Sequence, residues 1–331
     1  MNPTSFTACL RQRPGHLLSA VAGFCLTVVA SLCLPACSRD ESAPVEVRRL
    51  DLALLSGQVG PDSAMVQPAR TLFRLSGYGE LDDSTLSRYA SSPSIRLHER
   101  AVDSVWRDLR PLESSIGRLK FSFSRLFPEL VFPSVYAIIS PFNQSVFTSD
   151  SILYLGLNHY LGADYAPYGY FPDFIRLRKT PERVIPDMAE ALLRRDYPYE
   201  PQTDYPTLLS RMLYEGALLE AVMQLAGISE QEALGYDEGQ MAWLEENERE
   251  VWMKIVGDKM LFSTDRQLAS TLVNPAAFTS PIGRECPGMA GRFIGHRIVS
   301  SYLDRHAKPL SWFLSPAFYE GSGSLSDSGY K

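Results

Sequence analysis

Residues 130–157 read LVFPSVYAIISPFNQSVFTSDSILYLGL, and this stretch decides the fold class. β-branched and aromatic residues crowd two runs, Leu130–Ile139 and Ser145–Leu157, with turn residues between them. Both runs read as strands. The flanking sequence has a different period. Upstream, Val102, Val105, Trp106 and Leu109 mark Ile95–Leu109 as a helix. Leu112, Ile116, Leu119, Phe123 and Leu126 then form one apolar stripe. Tyr160–Phe174 is loop-like, dense in Tyr, Gly and Pro. Helices return over Arg183–Leu193 and Thr207–Leu225, the second closed by Gly227. Ser229 and Glu232 form a capping box that opens a short helix ended by Gly235. Long helices are predicted over Glu238–Val256 and Gly291–His306. Helices, then strands, then helices, with no repeat or low-complexity linker, predict a single α+β domain, helix-dominated with a small β-sheet.

The chain has 331 residues, 45% hydrophobic and 21% charged, which excludes a disordered polymer and a coiled-coil rod. A formal charge of −6 argues against nucleic acid as a partner. The N-terminus is a targeting segment. Arg11 and Arg13 precede an uncharged run from Leu17 to Ala36, which ends in Leu34-Pro35-Ala36-Cys37. That ending resembles a bacterial lipobox, in which a small residue precedes the cut and the following thiol takes the lipid. The charged Arg39-Asp40-Glu41 follows at once, which disfavours a transmembrane anchor. The expected organisation is a signal peptide over 1–36, a lipidated tether over 37–46 and a domain over 47–331. Lipidation falls on Cys37, and the acyl chains (palmitate among them) tie the protein to a membrane. Ser38 after the Cys favours the outer membrane, facing the periplasm. Cleavage removes Arg11 and Arg13 and takes the formal charge from −6 to −8. Cys286 is then the one remaining thiol, read as a half-buried structural residue.

The mature chain lacks the usual metal and nucleophile motifs. His98, His159, His296 and His306 form no H-x-x-x-H pair, and there is no G-x-S-x-G elbow or phosphate-cradling loop. Glu215 followed by Gly216, inside an apolar helix, is the feature that stands out. Gly there costs about 1 kcal/mol against Ala, so it implies close approach of another backbone or room for a ligand. Gly291 and Gly295, four apart, imply close approach as well. Glu245, Glu246, Glu248 and Glu250 read as a solvated helix face.

Leu208–Leu219 resembles the E-G-x-A helix of gluzincin-type zinc proteases, where the Glu is the third metal ligand. The upstream H-E-x-x-H helix corresponds to Val184–Leu193. Its five motif positions read Pro186-Asp187-Met188-Ala189-Glu190, without imidazole. Asp187, Glu190, Glu215 and Gly216 are therefore expected to form a vestigial protease-like site. It would have no catalytic residue, no metal and no cofactor. Buried together, those acids are expected to repel one another and raise at least one pKa.

A second resemblance covers the mature chain. Val47-Arg48-Arg49-Leu50-Asp51, Phe132-Pro133-Ser134-Val135, Leu155–Gly162, Trp243–Glu248, Gly291–Val299 and the ending Ser328-Gly329-Tyr330-Lys331 occur in an order and spacing similar to the gliding-motility lipoprotein family GldB of the Bacteroidetes. In the family Asp more often stands where this chain has Asn158. The resemblance implies a cell-envelope lipoprotein tied to gliding machinery and, in some relatives, to type IX secretion, and it implies no particular reaction. The first functional reading is a non-catalytic pseudo-protease scaffold with envelope protein partners. Two alternatives are a metal-dependent peptide or cell-wall hydrolase with a rearranged site, and a lipoprotein that binds peptide or glycan through loop 160–174.

Overall fold

A computed structural model describes residues 42–60, 63–140, 144–149 and 151–331. The signal and Cys37 lie outside the described residues. The chain enters through β1 (Val47–Arg49), α1 (Leu50–Leu55), α2 (Val66–Leu75), α3 (Asp83–Ser91), α4 (Pro93–Val105) and α5 (Arg110–Leu126). Three strands follow: β2 (Ser134–Ile138), β3 (Val146–Thr148) and β4 (Ile152–Gly156). Next come α6 (Asp173–Arg176), α7 (Val184–Asp196), α8 (Leu208–Ala226) and α9 (Glu230–Leu234). The remaining helices are α10 (Glu238–Glu246), α11 (Glu248–Gly257), α12 (Arg266–Val273), α13 (Ala290–Leu303), α14 (Leu310–Phe313), α15 (Pro316–Tyr319) and α16 (Ser324–Ser328). The fold is α+β, helix-rich, with one small mixed sheet.

The sheet runs β1-β2-β4-β3. β1 pairs in parallel with β2, β2 with β4, and β3 closes the far edge antiparallel to β4. Val135–Ile138 and Leu153–Gly156 are buried at every position. Strands covered on both faces carry continuous apolar runs instead of alternation, which is how residues 130–157 read. Asn158 locks the sheet end. Its side-chain oxygen accepts from Ser140 N at 2.7 Å and its amide donates to Ser140 O at 2.9 Å. An ionised Asp could make only the first bond.

The predicted helices form with shifted boundaries: α13 ends at Leu303 instead of His306, α7 runs on to Asp196, and two further changes have a visible cause. The helix expected over Ile95–Leu109 ends at Val105. Trp106 leaves helical geometry there and its Nε1 donates to Leu157 O at 3.2 Å. The single helix expected over Glu238–Val256 breaks at Asn247, whose side-chain amide donates to Trp243 O at 2.8 Å. Asn competes with the helical ladder in this way. The short strand β1 and the helices α1–α3 have no counterpart in the periodicity reading.

The N-terminal chain is seated before β1 begins. Val45 N donates to Glu113 O and Val47 N to the Glu113 carboxylate, each at 3.0 Å. Gly117 lets Ala43 lie flat on α5, since a Cβ there would stand 2.5 Å from Ala43 O.

α8 is the central element, buried nearly all round as its apolar sequence requires. It packs against α5, α7, α12 and α13. Thr207 caps its start by accepting from Ser210 N at 3.2 Å, and Gly227 ends it at φ +66°.

Candidate functional site

α8 and α13 cross at a glycine on each side. A Cβ on Gly216 would stand 2.2 Å from the Gly295 carbonyl carbon, and one on Gly295 would stand 2.0 Å from Met212 O. Of the two readings of Gly216, close backbone approach is the one seen. Gly295 occupies the space a ligand would need. The crossing brings charged side chains on both helices into one buried seam.

The first cluster in the seam holds two acids and three arginines. Arg194, one turn after Glu190 on α7, bridges to α8. Its Nη2 lies 2.8 Å from Glu190 Oε1 and 2.7 Å from Glu215 Oε2. Its Nη1 donates to Glu215 Oε1 at 3.1 Å. Arg211, one turn before Glu215, pairs with Oε1 at 2.8 Å. Arg292 of α13 reaches Glu190 Oε2 at 3.1 Å and Glu215 Oε2 at 3.5 Å. The Glu215 side chain is 2% exposed and that of Arg292 4%.

The helices that carry Glu190 and Glu215 thus lie side by side and their carboxylates face a common centre, which is guanidinium. The expected rise in a carboxyl pKa is corrected here. Burial opposes ionisation of Glu190, but Arg292 and Arg194 overcome it and hold the carboxyl below its ordinary range. Like charges never meet unaccompanied.

Asp187 stands apart with its own partners. Arg183 Nη2 donates to Oδ1 at 2.9 Å and the Tyr160 hydroxyl to Oδ2 at 3.0 Å. Beside it, Lys179 Nζ lies 2.8 Å from His159 Nδ1 and 4.6 Å from the centre of the Phe171 ring. Burial brings Lys179 down to about 8. In loop 160–174, Tyr160 and Tyr168 are buried and Tyr170 is exposed.

A second cluster, unforeseen from sequence, lies farther along the same two helices. His296 Nε2 sits 2.8 Å from Glu220 Oε2, and Nδ1 sits 2.5 Å from Glu230 Oε1. Both ring nitrogens face carboxylate, so the imidazolium is the species that fits. Burial opposes that charge, but the bonds to Glu220 and Glu230 outweigh it and raise His296 to about 9. Arg297 extends the cluster to Glu230 Oε2 at 3.0 Å, Glu248 Oε2 at 3.3 Å and Glu245 Oε1 at 3.6 Å. The Tyr330 hydroxyl donates to Glu248 at 2.8 Å. Glu245, Glu246 and Glu250 are exposed, as the solvated-face reading expects, and Glu248 departs from it as a half-buried partner of Arg297 and Tyr330.

Neither cluster suits a transition metal. A metal needs lone pairs that Glu190 and Glu215 already give to guanidinium, and its charge would enter among three arginines. Among the described residues no group of three or more His, Cys, Asp or Glu side chains is arranged to hold a metal ion. Cys286 is fully buried, not half-buried, and burial pushes its thiol up to about 11, far from a nucleophile's range.

Outside the seam, a cleft of about 430 Å³ opens between the segment that enters α8 and the face of α12. Arg211 lines it, so the cleft shares one side chain with the first cluster.

The family model described as "Gliding motility protein GldB" matches residues 39–317 of the chain. No curated relative and no solved structure matches it.

Proposed function

The chain belongs to the gliding-motility GldB family, and on that premise we propose that it is a lipid-anchored scaffold of gliding and secretion machinery, without catalysis of its own. Cys37 carries the lipid and sets the protein on the outer membrane, facing the periplasm. The Leu34–Cys37 ending supports this. Among the described residues no helix is long and apolar enough to cross a membrane. Only Ser38–Glu41 separate Cys37 from the chain that docks on α5.

The single observation behind the non-catalytic reading is the composition of the first cluster. Every acid that could bind a metal or act as a base at the protease-like position is neutralised by a buried arginine. A general base needs an accessible lone pair and a pKa near working pH. Glu190 has its carboxyl held low, and Glu215 is enclosed by three guanidiniums. The helices keep their mutual packing while the chemistry between them becomes structural. The partners that remain for such a protein are envelope proteins.

Complementation of a deletion strain tests this. The wild-type chain restores colony spreading and Cys37→Ala does not. Cross-linking with the lipid intact recovers envelope proteins of the motility apparatus. Stoichiometric zinc in protein purified without chelator, together with peptide cleavage abolished by Glu215→Gln, would overturn the scaffold reading and install a hydrolase. Full complementation by an unlipidated Cys37→Ala protein would remove the anchor.

A further inference from the structure

The cleft beside the first cluster has a composition that selects its ligand. Its walls include Tyr199, Pro201 and Pro206 on one side and Ala269 and Val273 of α12 on the other. Arg211 and Arg266 supply its charge, and among the described residues no acidic side chain lines it. Glu200, Asp204 and Asp265 neighbour lining residues along the chain, yet none of them faces the cleft. In a protein with a formal charge of −6, a lining that holds two arginines and no acid among the described residues stands out, although Arg211 is paired behind the wall with Glu215.

Both arginines are available to an incoming anion. Arg211 is held in place by Glu215 and by the Tyr199 ring, 4.6 Å from its guanidinium. Glu215 is shared among Arg194, Arg211 and Arg292, so two carboxylates balance three guanidiniums and one positive charge is left over. Arg266 is the opening residue of α12, where the helix dipole disfavours a cation. It forms no ion pair among the described residues. Thr203, Thr207 and Ser270 line the same space, while the amides of the first turn of α8 are bonded within the chain, among them Leu208 N to Ser263 O at 2.8 Å and Leu209 N to Leu261 O at 2.9 Å.

We propose that this cleft is a binding site for an organic carboxylate that carries an apolar group. The guanidiniums take the carboxylate, each able to offer paired N–H donors. The proline, tyrosine, alanine and valine walls take the apolar body, which a bare inorganic anion lacks. The volume suits a small acid or the last residues of a peptide. The site goes beyond the scaffold reading and stands apart from it. An empty cleft would leave the motility phenotype intact, and a failed complementation would leave the cleft's affinity intact.

Isothermal titration of the detergent-solubilised full chain tests it with four probes. They are N-acetyl-leucine, the peptide acid Ac-Ala-Pro-Leu-OH, the same peptide as its C-terminal amide, and inorganic phosphate. Binding of either acid, with the amide at least about tenfold weaker, is the expected result. Tighter binding of the peptide acid identifies a chain terminus as the source, and equal binding identifies a free small acid. Arg266→Gln, which breaks no internal ion pair and keeps the far-ultraviolet circular dichroism of the parent, should weaken the acids by about tenfold or more. Equal affinity for acid and amide, no heat at millimolar probe, phosphate binding tighter than both acids, or an unchanged Arg266→Gln protein would each overturn the proposal.

Discussion

The two charged clusters sit on the same pair of helices and solve the same problem in opposite ways. Around Glu215, arginines outnumber acids. Around His296, four glutamates surround one imidazole and one guanidinium. Arginine keeps its charge throughout the accessible pH range, whereas histidine does not. The first cluster is thus permanently charged on its cationic side, and the second has a group that titrates. Their common support is the Gly216–Gly295 crossing. Buried ion networks are weak evidence for net stability, but removing one member leaves a charge without its partner.

The largest effect follows from breaking the support itself. In Gly295→Ala the new methyl would meet a main-chain carbonyl of α8 that no rotamer change can move aside. The helices must separate and both clusters go with them. The expected loss exceeds about 4 kcal/mol, and the protein should be recovered only as aggregate. A soluble Gly295→Ala protein with native chemical-denaturation behaviour would show that the crossing is not the common support.

Next in size is a break confined to the first cluster. Glu215→Leu leaves Arg292, 4% exposed at its side chain, with Glu190 as its one remaining carboxylate. The expected cost is about 3–5 kcal/mol by urea unfolding at neutral pH. Arg292→Met added to Glu215→Leu should recover a substantial part of it, because the pair is removed together. A double variant whose loss equals the sum of the single losses would mean that the two side chains are not coupled.

The sequence revealed one half of this seam and hid the other. Apolar spacing and caps define α8, while Gly216 and the Gly291/Gly295 pair announce a close approach. The protease-like spacing put Glu190 and Glu215 on neighbouring helices. Their local partners were also within reach. Arg194 follows Glu190 by four residues and Arg211 precedes Glu215 by four, a spacing that places charges on one helical face. Attention to the acids alone missed them. Arg292 and the partners of His296 were beyond any local reading, since they meet across 66 to 102 residues of chain. The cleft was hidden for the same reason: residues 199–211 and 266–274 line it, and neither segment has an unusual pattern by itself.

pH separates the clusters without mutation. His296 has a folded pKa of about 9 against 6.5 unfolded, so its contribution is complete below pH 6.5 and disappears as pH rises through 9. Lys179, lowered to about 8 from 10.5, works in the opposite direction above pH 8. The clean window is therefore pH 6.5 to 8. Across it the unfolding free energy should fall by roughly 2 kcal/mol, since each pKa unit corresponds to about 1.4 kcal/mol. In His296→Gln the slope in this window should vanish while the first cluster is unaffected. Carboxylates respond at the other end. Glu190 and Glu220 are both held below their ordinary range, so each contributes stability above pH 4.5 that is lost as pH falls further. Both clusters contribute to the acid limb, and the fall between pH 6.5 and 8 belongs to His296. A flat profile from pH 6.5 to 8, or a His296 imidazole signal, assigned by its loss in His296→Gln, that titrates near 6.5 in the folded protein, would remove that distinction.

The smallest expected effect marks where the second cluster ends. Glu245 stands 3.6 Å from Arg297 with more than half of its side chain exposed. Solvent screens such a pair, and exposed ion pairs contribute about 0–1 kcal/mol. Arg297 also keeps Glu230 at 3.0 Å and Glu248 at 3.3 Å, so losing Glu245 leaves no charge stranded. Glu245→Gln should therefore shift stability by less than about 0.5 kcal/mol at low salt and by nothing measurable at 0.5 M salt, where screening is nearly complete. Glu248→Gln is the informative contrast. Glu248 also accepts from the Tyr330 hydroxyl at 2.8 Å, which ties the last residues of the chain to α11. Its loss should cost about 1 kcal/mol or more, persist in salt and speed amide exchange around Tyr330. If the two variants prove equally mild and equally salt-sensitive, the second cluster stops at Glu230, and the glutamates of α10 and α11 form the solvated face that their sequence first suggested.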